Sequence, residues 1–600
     1  MNLDYKKSLA WTRENLFSSI PSSILTVATI YFVLGFFRGL FGFAMASDKD
    51  WLSVLNNMQL YMVQAYPEED FIRVWISVGL ALVFAGMSLG LWKSTEESSL
   101  SDVFSKFLKI SLAFLFFTVI APTFSSVTDN DGIIQTEESF SMDTRLQLLI
   151  PSAILVVIFF VLKNLKLNYK FNKSDLLCFY LAIPIALLWI VKLPTIQLDG
   201  SNQRIIPDPL MPIADTTKIP WTIIFGLFVV FYFIGSRFKD SKNIKRTMSI
   251  SWILLPLFIF SWIFKKPEID LSTIVGQDVP IFIGIFLIGA LTITFVNNPI
   301  VEKYFSAYLG ILIAITGIAL FISIPILLKS ALLLLVLFTI VIPAVSSSSK
   351  GKRNLIIVWG VSLFTLSVLI RGGSSDTQII VQQQSIFGGF SLTWLLAIFG
   401  TYVSFPLGVL LALGRNSKLP IVRLVCTGII ELTRSVPYIT WLFFASVTMA
   451  VFLPDGVNFE LVVRVLMVTA FFSGAYFAEN IRGGLQSIPK GQYEAADAIG
   501  MSPFQKTSLI IMPQALRAII PTLVSSAITA FKDSSLVTII GLIDFLTIGK
   551  VIIGSQSIPV NFVGHDRENL LFIAFFYWIF TFTLSRRSMK VEKRLGLGER

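Results

Sequence analysis

The sequence is poor in the residues that build metal centres and disulfide frameworks. Among its 600 residues, 1 is His and 2 are Cys. Cys178 and Cys426 lie in or beside apolar runs, and no second Cys or His cluster accompanies either of them. This spacing argues against a zinc site or a disulfide framework, so we expect no bound metal. We expect His565 to be an ordinary loop residue.

Charge is also scarce. Charged residues make up 14% of the chain and hydrophobic residues 54%, whereas soluble globular domains are typically about a quarter charged. The apolar residues are gathered in runs of roughly 17 to 23, the length that a helix needs to cross a hydrocarbon core of about 30 Å. The alternating pattern of an outer-membrane barrel is absent from the sequence. The composition therefore predicts an all-α polytopic membrane protein.

The apolar runs predict about sixteen membrane spans. Basic residues fall in alternate loops, and the loops between them carry acidic stretches such as SSVTDNDGIIQTEESFSMD (125–143). The positive-inside rule, the even number of spans and the basic tail from Arg586 to Arg600 place both termini in the cytoplasm. The net charge of +11 thus reflects topology, and we expect no nucleic-acid partner. The spans are predicted near residues 22–44, 72–92, 107–123, 147–163, 176–194, 220–236, 248–264, 280–296, 305–327, 330–346, 354–370, 391–413, 421–452, 461–482, 518–543 and 568–585.

A polar stretch near the C-terminus, LQSIPKGQYEAADAIGMSPFQKTSLIIMPQALRAIIP (485–521), has its own helix signals. Pro489 opens a short helix, and Gly500 ends it in the position where a left-handed residue costs least. The pattern predicts either a compact knob on the cytoplasmic side or a hairpin that lies on the lipid headgroups.

A second helix follows Gly500. Ser502 caps it, and Gln505 stands three residues later, as in a capping box. Pro513 and Pro521 limit how far we expect this helix to continue.

The same stretch resembles the EAA loop of ABC importer permeases. The family spacing is met by Glu494, Ala495, Ala496, Gly500, Ile510, Met512 and Pro513, with Met512 where Leu is usual. In that family the loop docks into a groove on the ATP-binding subunit and transmits its closure to the membrane helices. The resemblance implies that these residues, Met512 aside, couple the chain to an ATPase.

The surrounding sequence narrows the resemblance. The segments at 431–446, 475–500 and 531–546 are similar to the polar amino-acid permeases, and those at 404–423 and 66–75 resemble the branch that serves general L-amino-acid importers. The close resemblance covers roughly 390–585, with a weaker one over 1–92. Thr433 and Ser435 stand where the family usually has an aromatic residue and Gly. At that point the resemblance therefore does not indicate which side chains line the pore.

The resemblance implies a permease subunit that moves amino acids from a periplasmic binding protein into the cytoplasm across a bacterial inner membrane. No GxxxxGK[ST] phosphate-binding loop occurs in the sequence. We therefore expect a non-catalytic chain that binds no cofactor, with ATP and Mg²⁺ used by a partner. The implied partners are an ATP-binding subunit dimer, a second and related permease, the binding protein and the bilayer.

Charged residues in the spans are functional-site hypotheses because charge is costly inside a bilayer. Glu431 with Arg434, and Glu479 with Arg482, are spaced one helical turn apart and can neutralise one another. We expect both to be structural ion pairs near the cytoplasmic boundary.

Lys532 and Asp533 are adjacent and therefore point in different directions from a helix, and Ser534 and Ser535 follow them. Such a group could meet the carboxylate and ammonium of a zwitterion, which makes these four residues the predicted substrate path. The alternative is that Lys532 pairs with a neighbouring helix.

Three segments are expected: a two-helix region over 1–92, an inserted module of about eight helices over 93–353, and a permease core over 354–600 that contains the coupling loop. The stretch SSSSKGKR (346–353) marks the second boundary. The insert carries almost no charge away from the ends of its spans, so we expect it to be peripheral to the translocation path.

Two other functional classes fit parts of the sequence. A secondary transporter or channel would also have many helices and buried charges, but it would have no use for an ATPase-docking knob. A membrane-embedded enzyme would need a cluster of His, Cys or carboxylate residues in the spans, and the sequence shows none.

Overall fold

A computed structural model gives the structure of the chain, and His565 lies outside the residues it describes. The described residues are 5–46, 49, 51–93, 97–128, 134–138, 140–165, 169–193, 197–198, 204–205, 211–264, 272, 274–322, 324–345, 349–370, 387–452, 460–556, 562–564 and 566–594.

The N-terminal half is built from long helices joined by short antiparallel ribbons. Its helices are α1 (Tyr5–Leu16), α2 (Ile20–Met45), α3 (Leu52–Leu55), α4 (Met58–Val63), α5 (Phe71–Leu91), α6 (Leu100–Ile120), α7 (Met142–Asn164), α8 (Lys173–Ile190), α9 (Asp215–Arg237) and α10 (Lys242–Phe264). Its strands are β1 (Glu97–Ser99), β2 (Phe124–Thr128), β3 (Ile134–Glu138), β4 (Lys170–Asn172), β5 (Lys192–Leu193), β6 (Gln197–Leu198), β7 (Arg204–Ile205) and β8 (Met211–Pro212), paired β1–β4, β2–β3, β5–β8 and β6–β7.

The C-terminal half is formed mainly of helices and has no named strand among its described residues. Its α-helices are α11 (Val279–Phe295), α12 (Pro299–Phe321), α13 (Ile326–Val345), α14 (Ser349–Ile370), α15 (Gly389–Arg415), α16 (Pro420–Ser435), α17 (Tyr438–Phe443), α18 (Met449–Phe452), α19 (Leu461–Gln486), α20 (Lys490–Ala498), α21 (Pro503–Gln505), α22 (Met512–Asp533), α23 (Phe545–Thr547) and α24 (Asp566–Arg594). Two other kinds of helical turn interrupt or adjoin the α-helices of the chain. Wider π turns lie at Ile274–Asp278, Phe444–Thr448, Lys506–Ile511 and Ile548–Ile553, and tighter 3-10 turns lie at Glu68–Asp70, in the N-terminal half, and Ser534–Ile540.

The all-α membrane fold expected from composition is confirmed. In the described part of the chain, 13 helices are long and apolar enough to cross a membrane, or 14 if a bent pair is counted as one span. The predicted spans at 330–346 and 354–370 fall on α13 and α14, which are also helical.

The expected span at 421–452 is not one straight helix. The pair Pro420–Ser435 and Tyr438–Phe452 is bent by 103°. Pro437, which caps α17, cannot donate to the preceding turn, and Val436 before it is held in an extended conformation. Two short segments therefore replace the single span.

The expected stop at Pro513 and Pro521 is also wrong. The helical path continues from α21 through the π turn Lys506–Ile511 and α22 to Asp533. Pro513 lies in the first turn of α22, where the missing amide costs nothing, and Pro521 is tolerated inside the helix.

By the proximity of Cα atoms the described chain forms two compact units. The first consists of residues 1–56, 86–239 and 557–569, and the second of residues 57–85, 240–556 and 570–600. These units do not follow the three segments expected from the sequence, and that three-part division stays a prediction.

A polar contact joins α8 and α9 in the first unit. The Asp175 carboxylate lies 2.9 Å from the Lys93 ammonium and accepts a hydrogen bond of 2.5 Å from the hydroxyl of buried Tyr232. Gly90 and Gly235 let the surrounding backbones approach, because a Cβ at Gly90 would lie 2.2 Å from the Tyr232 carbonyl oxygen. This contact offsets the charge of the Asp175 carboxylate.

The second unit has several apolar clusters. One is centred on Trp359 of α14, whose indole donates to the Phe286 carbonyl at 3.2 Å and packs against the face of α11 at Gly289. Another joins α10 to α15, where the Phe260 and Phe399 rings stack with centroids 4.9 Å apart. Helix α10, which lies in the expected insert, is therefore in direct contact with α15.

Candidate functional site

A cavity of about 500 Å³ lies within the second unit, between α15, α17, α19 and α22. Its walls are a mixture of aromatic and small polar side chains. From α17 comes Tyr438, whose hydroxyl lies 2.8 Å from that of Thr469 on α19. From α19 also comes Asn480, whose amide donates to the Ser526 hydroxyl of α22 at 3.3 Å. The helices that surround the cavity are thus tied to one another by side chains that face it.

Small residues allow these helices to pack closely. A Cβ at Gly408 of α15 would lie 3.0 Å from the Gly474 carbonyl oxygen of α19. A Cβ at Gly484 would lie 2.8 Å from the Ala515 carbonyl oxygen of α22. Close approach through small residues is the usual way in which membrane helices gain contact area.

The expected substrate path is divided between two faces of α22. Asp533 and Ser534 line the cavity. Lys532 and Ser535 instead line a separate pocket against α24, with Tyr577 and other residues. Adjacent helical residues point about 100° apart, so the structure does not bring the lysine and the carboxylate to one site.

Sequence reasoning missed most of the cavity wall. On α22 the polar lining residues are Thr522, Ser525, Ser526, Thr529 and Asp533. These positions recur every three or four residues and form one face of the helix. A polar stripe at helical spacing within an apolar span was the available signal.

Helix α19 carries a second stripe of the same kind. Thr469, Ser473, Tyr476 and Asn480 all face the cavity. Thr433 and Ser435, where the sequence departs from the family pattern, lie elsewhere: the buried Thr433 accepts from the Trp441 indole at 3.2 Å through its carbonyl, next to the bend after α16.

Charged side chains gather around Glu479, one residue before Asn480. The Glu479 carboxylate lies 2.9 Å from Arg482, 2.5 Å from Arg415 and 3.8 Å from Arg434. Its side chain is 16% exposed, so the three cations are needed to offset the cost of removing the carboxylate from water.

The expected pair of Glu431 with Arg434 is wrong. Glu431 pairs with Arg415 of α15 at 3.0 Å, and Arg434 turns towards Glu479 and lies over the Tyr476 ring, 5.5 Å from its centroid. The neighbouring helices offer closer partners than the same helix does. The pair of Glu479 with Arg482 is present, but as one side of a cluster that joins α15, α16 and α19.

The segment between α19 and α22 forms a compact polar knob (residues 487–511). Helix α20 begins after Pro489, and Gly500 takes a left-handed φ of 74°. Ser502 and Gln505 exchange both hydrogen bonds of a capping box. The Lys506 ammonium lies 2.6 Å from the Asp497 carboxylate and holds the two sides together.

The knob residues divide into an inner and an outer set. Ala496 is buried, and its carbonyl accepts from the Met501 amide at 3.2 Å. Ile510 is half-buried beside the buried Ile511. Glu494, Ala495, Gly500 and Pro513 are exposed. The two alanines therefore have different surroundings, since only Ala495 is open to another molecule.

A buried carboxylate supports the far end of α22. Asp544 accepts hydrogen bonds from the Thr538 hydroxyl at 2.9 Å, the Thr547 amide at 3.0 Å and the Leu546 amide at 3.2 Å. Burial raises the pKa of the Asp544 carboxyl, against the lowering effect of these hydrogen bonds. Asp544 caps α23, which places Phe545 in an aromatic cluster with Phe390.

Apolar helices around a polar cavity, with two cavity helices continuing into one exposed polar knob, define a multi-pass helical membrane protein. The chain belongs to the family described as binding-protein-dependent transport system inner membrane component, whose model matches residues 404–586. This match contains the knob and most of the cavity wall.

The relatives are amino-acid permeases by name. The glutamate/glutamine/aspartate/asparagine transport system permease protein BztC of Rhodobacter capsulatus is 47% identical over 35% of this chain and 48% of that protein. The inner membrane amino-acid ABC transporter permease protein YhdY of Escherichia coli is 40% identical over 41% of this chain and 66% of that protein. The probable glutamine ABC transporter permease protein GlnP of Bacillus subtilis is 30% identical over 35% of this chain and 93% of that protein. The chain thus spans about half the length of the first relative and just under two thirds of the second.

Proposed function

We propose that the chain is the membrane-spanning permease subunit of an ATP-driven importer that carries amino acids into the bacterial cytoplasm. Family membership and the names of its relatives support this function. The protein would lie in the inner membrane, with both termini in the cytoplasm. It would receive amino acids from a periplasmic binding protein.

The observation that carries the proposal is the connection between the knob and the cavity. The knob joins the end of α19 to the start of α22, and both helices line the cavity. A partner that moves the exposed face of the knob, including Glu494 and Ala495, would therefore pull on two cavity walls at once. Such a connection suits the transmission of ATPase closure to a translocation path.

The proposal requires several partners. An ATP-binding subunit dimer would dock on the knob and would use ATP and Mg²⁺, since this sequence has no phosphate-binding loop. A second, related permease would complete the path through the membrane. This chain itself would be non-catalytic and would bind no cofactor.

Gly500 gives a test of coupling. Its φ of 74° is disfavoured for side chains branched at Cβ, although a Cβ there would meet no atom within 4 Å. Gly500→Val should therefore distort the knob, and Gly500→Asn should be milder because Asn tolerates the left-handed region. Gly491→Val is the control, since Gly491 lies in the same knob, has open space and has no positive φ.

The measurement is ATP-dependent amino-acid uptake and ATPase co-purification, with membrane insertion followed in parallel. We expect at least about a tenfold loss of uptake in Gly500→Val, a smaller loss in Gly500→Asn, and near-normal uptake in Gly491→Val. Uptake and ATPase association unchanged in Gly500→Val would contradict the coupling role. Uptake that proceeds without any ATPase would instead indicate a secondary transporter.

A further inference from the structure

The charge balance of the cavity is one-sided. Among the described residues that line it, Asp533 supplies a carboxylate, and no Lys or Arg is present. The remaining polar groups are the hydroxyls of Ser, Thr and Tyr and the amide of Asn480. The cavity thus offers one negative charge in a wall that is otherwise neutral.

Asp533 has no hydrogen-bond or ion-pair partner among the residues that the structure describes. Its nearest neighbour in sequence, Lys532, faces the other pocket. Lys532 stabilises the Asp533 carboxylate electrostatically but makes no ion pair with it. A half-buried carboxylate without a directly paired cation is costly, and the cost is recovered when a cation binds beside it. An ammonium group from a ligand would supply that cation.

The nearby arginines are already paired. Arg415, Arg434 and Arg482 all lie within 4 Å of the Glu479 carboxylate, and Arg415 also contacts Glu431. The two carboxylates offset most of this positive charge. None of these arginines is among the residues that line the cavity, so none is placed to pair with an additional anionic group there.

The hydroxyls of α22 can receive the other end of an amino acid. Thr529 lies one helical turn from Asp533, a rise of about 6 Å at 1.5 Å per residue. Ser525 and Ser526 lie in the next turn. An amino acid whose ammonium binds Asp533 would therefore place its α-carboxylate against neutral hydroxyl donors.

We propose that this cavity selects amino acids of zero or positive net charge and disfavours glutamate and aspartate. The inference rests on the proposed function and goes beyond it, because it assigns the substrate class to the Asp533 cavity. It also departs from the names of some relatives, which include glutamate and aspartate. The second carboxylate of an acidic amino acid would find no cation in the described wall and would be repelled by Asp533.

Glutamine and glutamate provide a matched ligand pair, since they have nearly the same shape and differ in charge. Their affinities are measured for the purified full chain in detergent, by titration of its thermal shift. We expect glutamine to bind at least about tenfold more tightly than glutamate, equivalent to about 1.4 kcal/mol. Lysine should bind at least as well as glutamine.

Three variants locate the origin of the preference. Asp533→Asn should weaken lysine and glutamine binding by about tenfold or more and should reduce the discrimination against glutamate. Thr529→Lys should place an ammonium within reach of Asp533, neutralise its charge and abolish the preference against glutamate. Lys532→Gln changes the opposite face of α22 and removes the favourable electrostatic effect of Lys532 on Asp533, so it should retain the preference against glutamate.

Equal binding of glutamine and glutamate, a preference that Asp533→Asn does not alter, or no binding of either ligand would overturn the inference. Reconstitution with the ATPase and the second permease separates the two proposals. ATP-driven uptake without charge discrimination would overturn the cavity's selectivity while leaving the importer function. Charge-selective binding by the purified chain without ATP-driven uptake would retain the selectivity and overturn the importer function.

Discussion

Three carboxylates near the cavity differ in what surrounds them. Asp533 faces the cavity without a direct ion pair, Glu479 is shared by three arginines, and Asp544 is completely buried and accepts hydrogen bonds from neutral donors. The first is available to a ligand, whereas the other two are occupied by the protein itself. Residue type alone does not separate these roles.

Asp544→Ala should destabilise the segment from Thr538 to Thr547, because it removes the cap of α23 and leaves buried donors unpaired. We expect a loss of roughly 2–3 kcal/mol in the free energy of unfolding. Asp544→Asn retains one acceptor oxygen and should cost less. Thermal melts of the two purified variants check the order, and equal melting of Asp544→Ala and the unmodified chain would contradict the capping role.

Much of the knob was predictable because its signals are local. Pro489, Gly500, Ser502 and Gln505 act on their own turns, and the structure places each in the expected conformation. The partner of Glu431 was not predictable in the same way. A spacing of one turn shows that Arg434 is within reach, but it does not show that Arg415 of another helix is closer.

At the scale of elements, the contact of α19 with α22 sets both a cavity wall and the base of the knob. Gly484 lies at this contact, where the two backbones approach too closely for a Cβ. Its neighbour Gly483 has no atom within 4 Å of a built Cβ. The chain thus provides two adjacent glycines with opposite surroundings.

Gly484→Val should separate α19 from α22, whereas Gly483→Val should be tolerated. Overpacking of this kind costs typically about 1–3 kcal/mol, so we expect a lower melting temperature and lower uptake for Gly484→Val alone. Both variants lose the same glycine flexibility, which leaves the close contact as the difference between them. Similar losses in the two variants would argue against a role for the close approach.

At the scale of the whole molecule, helix α10 of the expected insert packs against the expected permease core. Phe260 stacks on Phe399 of α15, and the Arg73 guanidinium lies over the Trp262 ring at 4.8 Å and donates to the Trp262 carbonyl at 3.2 Å. The insert was expected to be peripheral to the path, yet one of its helices covers apolar surface on a cavity helix. Joining residue 93 to residue 350 would remove that cover.

Two deletions should therefore behave differently. Removal of residues 272–370 takes away α11–α14, an even number of helices, and retains α10 beside α15. Removal of 94–349 instead takes away α6–α13, which include α10, and leaves Arg73 without its aromatic partner. We expect the first shortened chain to purify as a monodisperse species and the second to assemble poorly, as measured by size-exclusion chromatography and thermal melting. Equal behaviour of the two would show that the contact of α10 with α15 is dispensable.

The sequence by itself determined most of the membrane spans and the knob, because apolar length and capping residues act within one helix or one turn. Only the tertiary structure decided that Asp533 faces the cavity while Lys532 does not, that Arg415 takes Glu431, and that α10 packs against α15. Helical periodicity tells which residues share a face. Which neighbour that face meets depends on close packing between helices distant in sequence, and the spacing of residues along one helix contains no information about it.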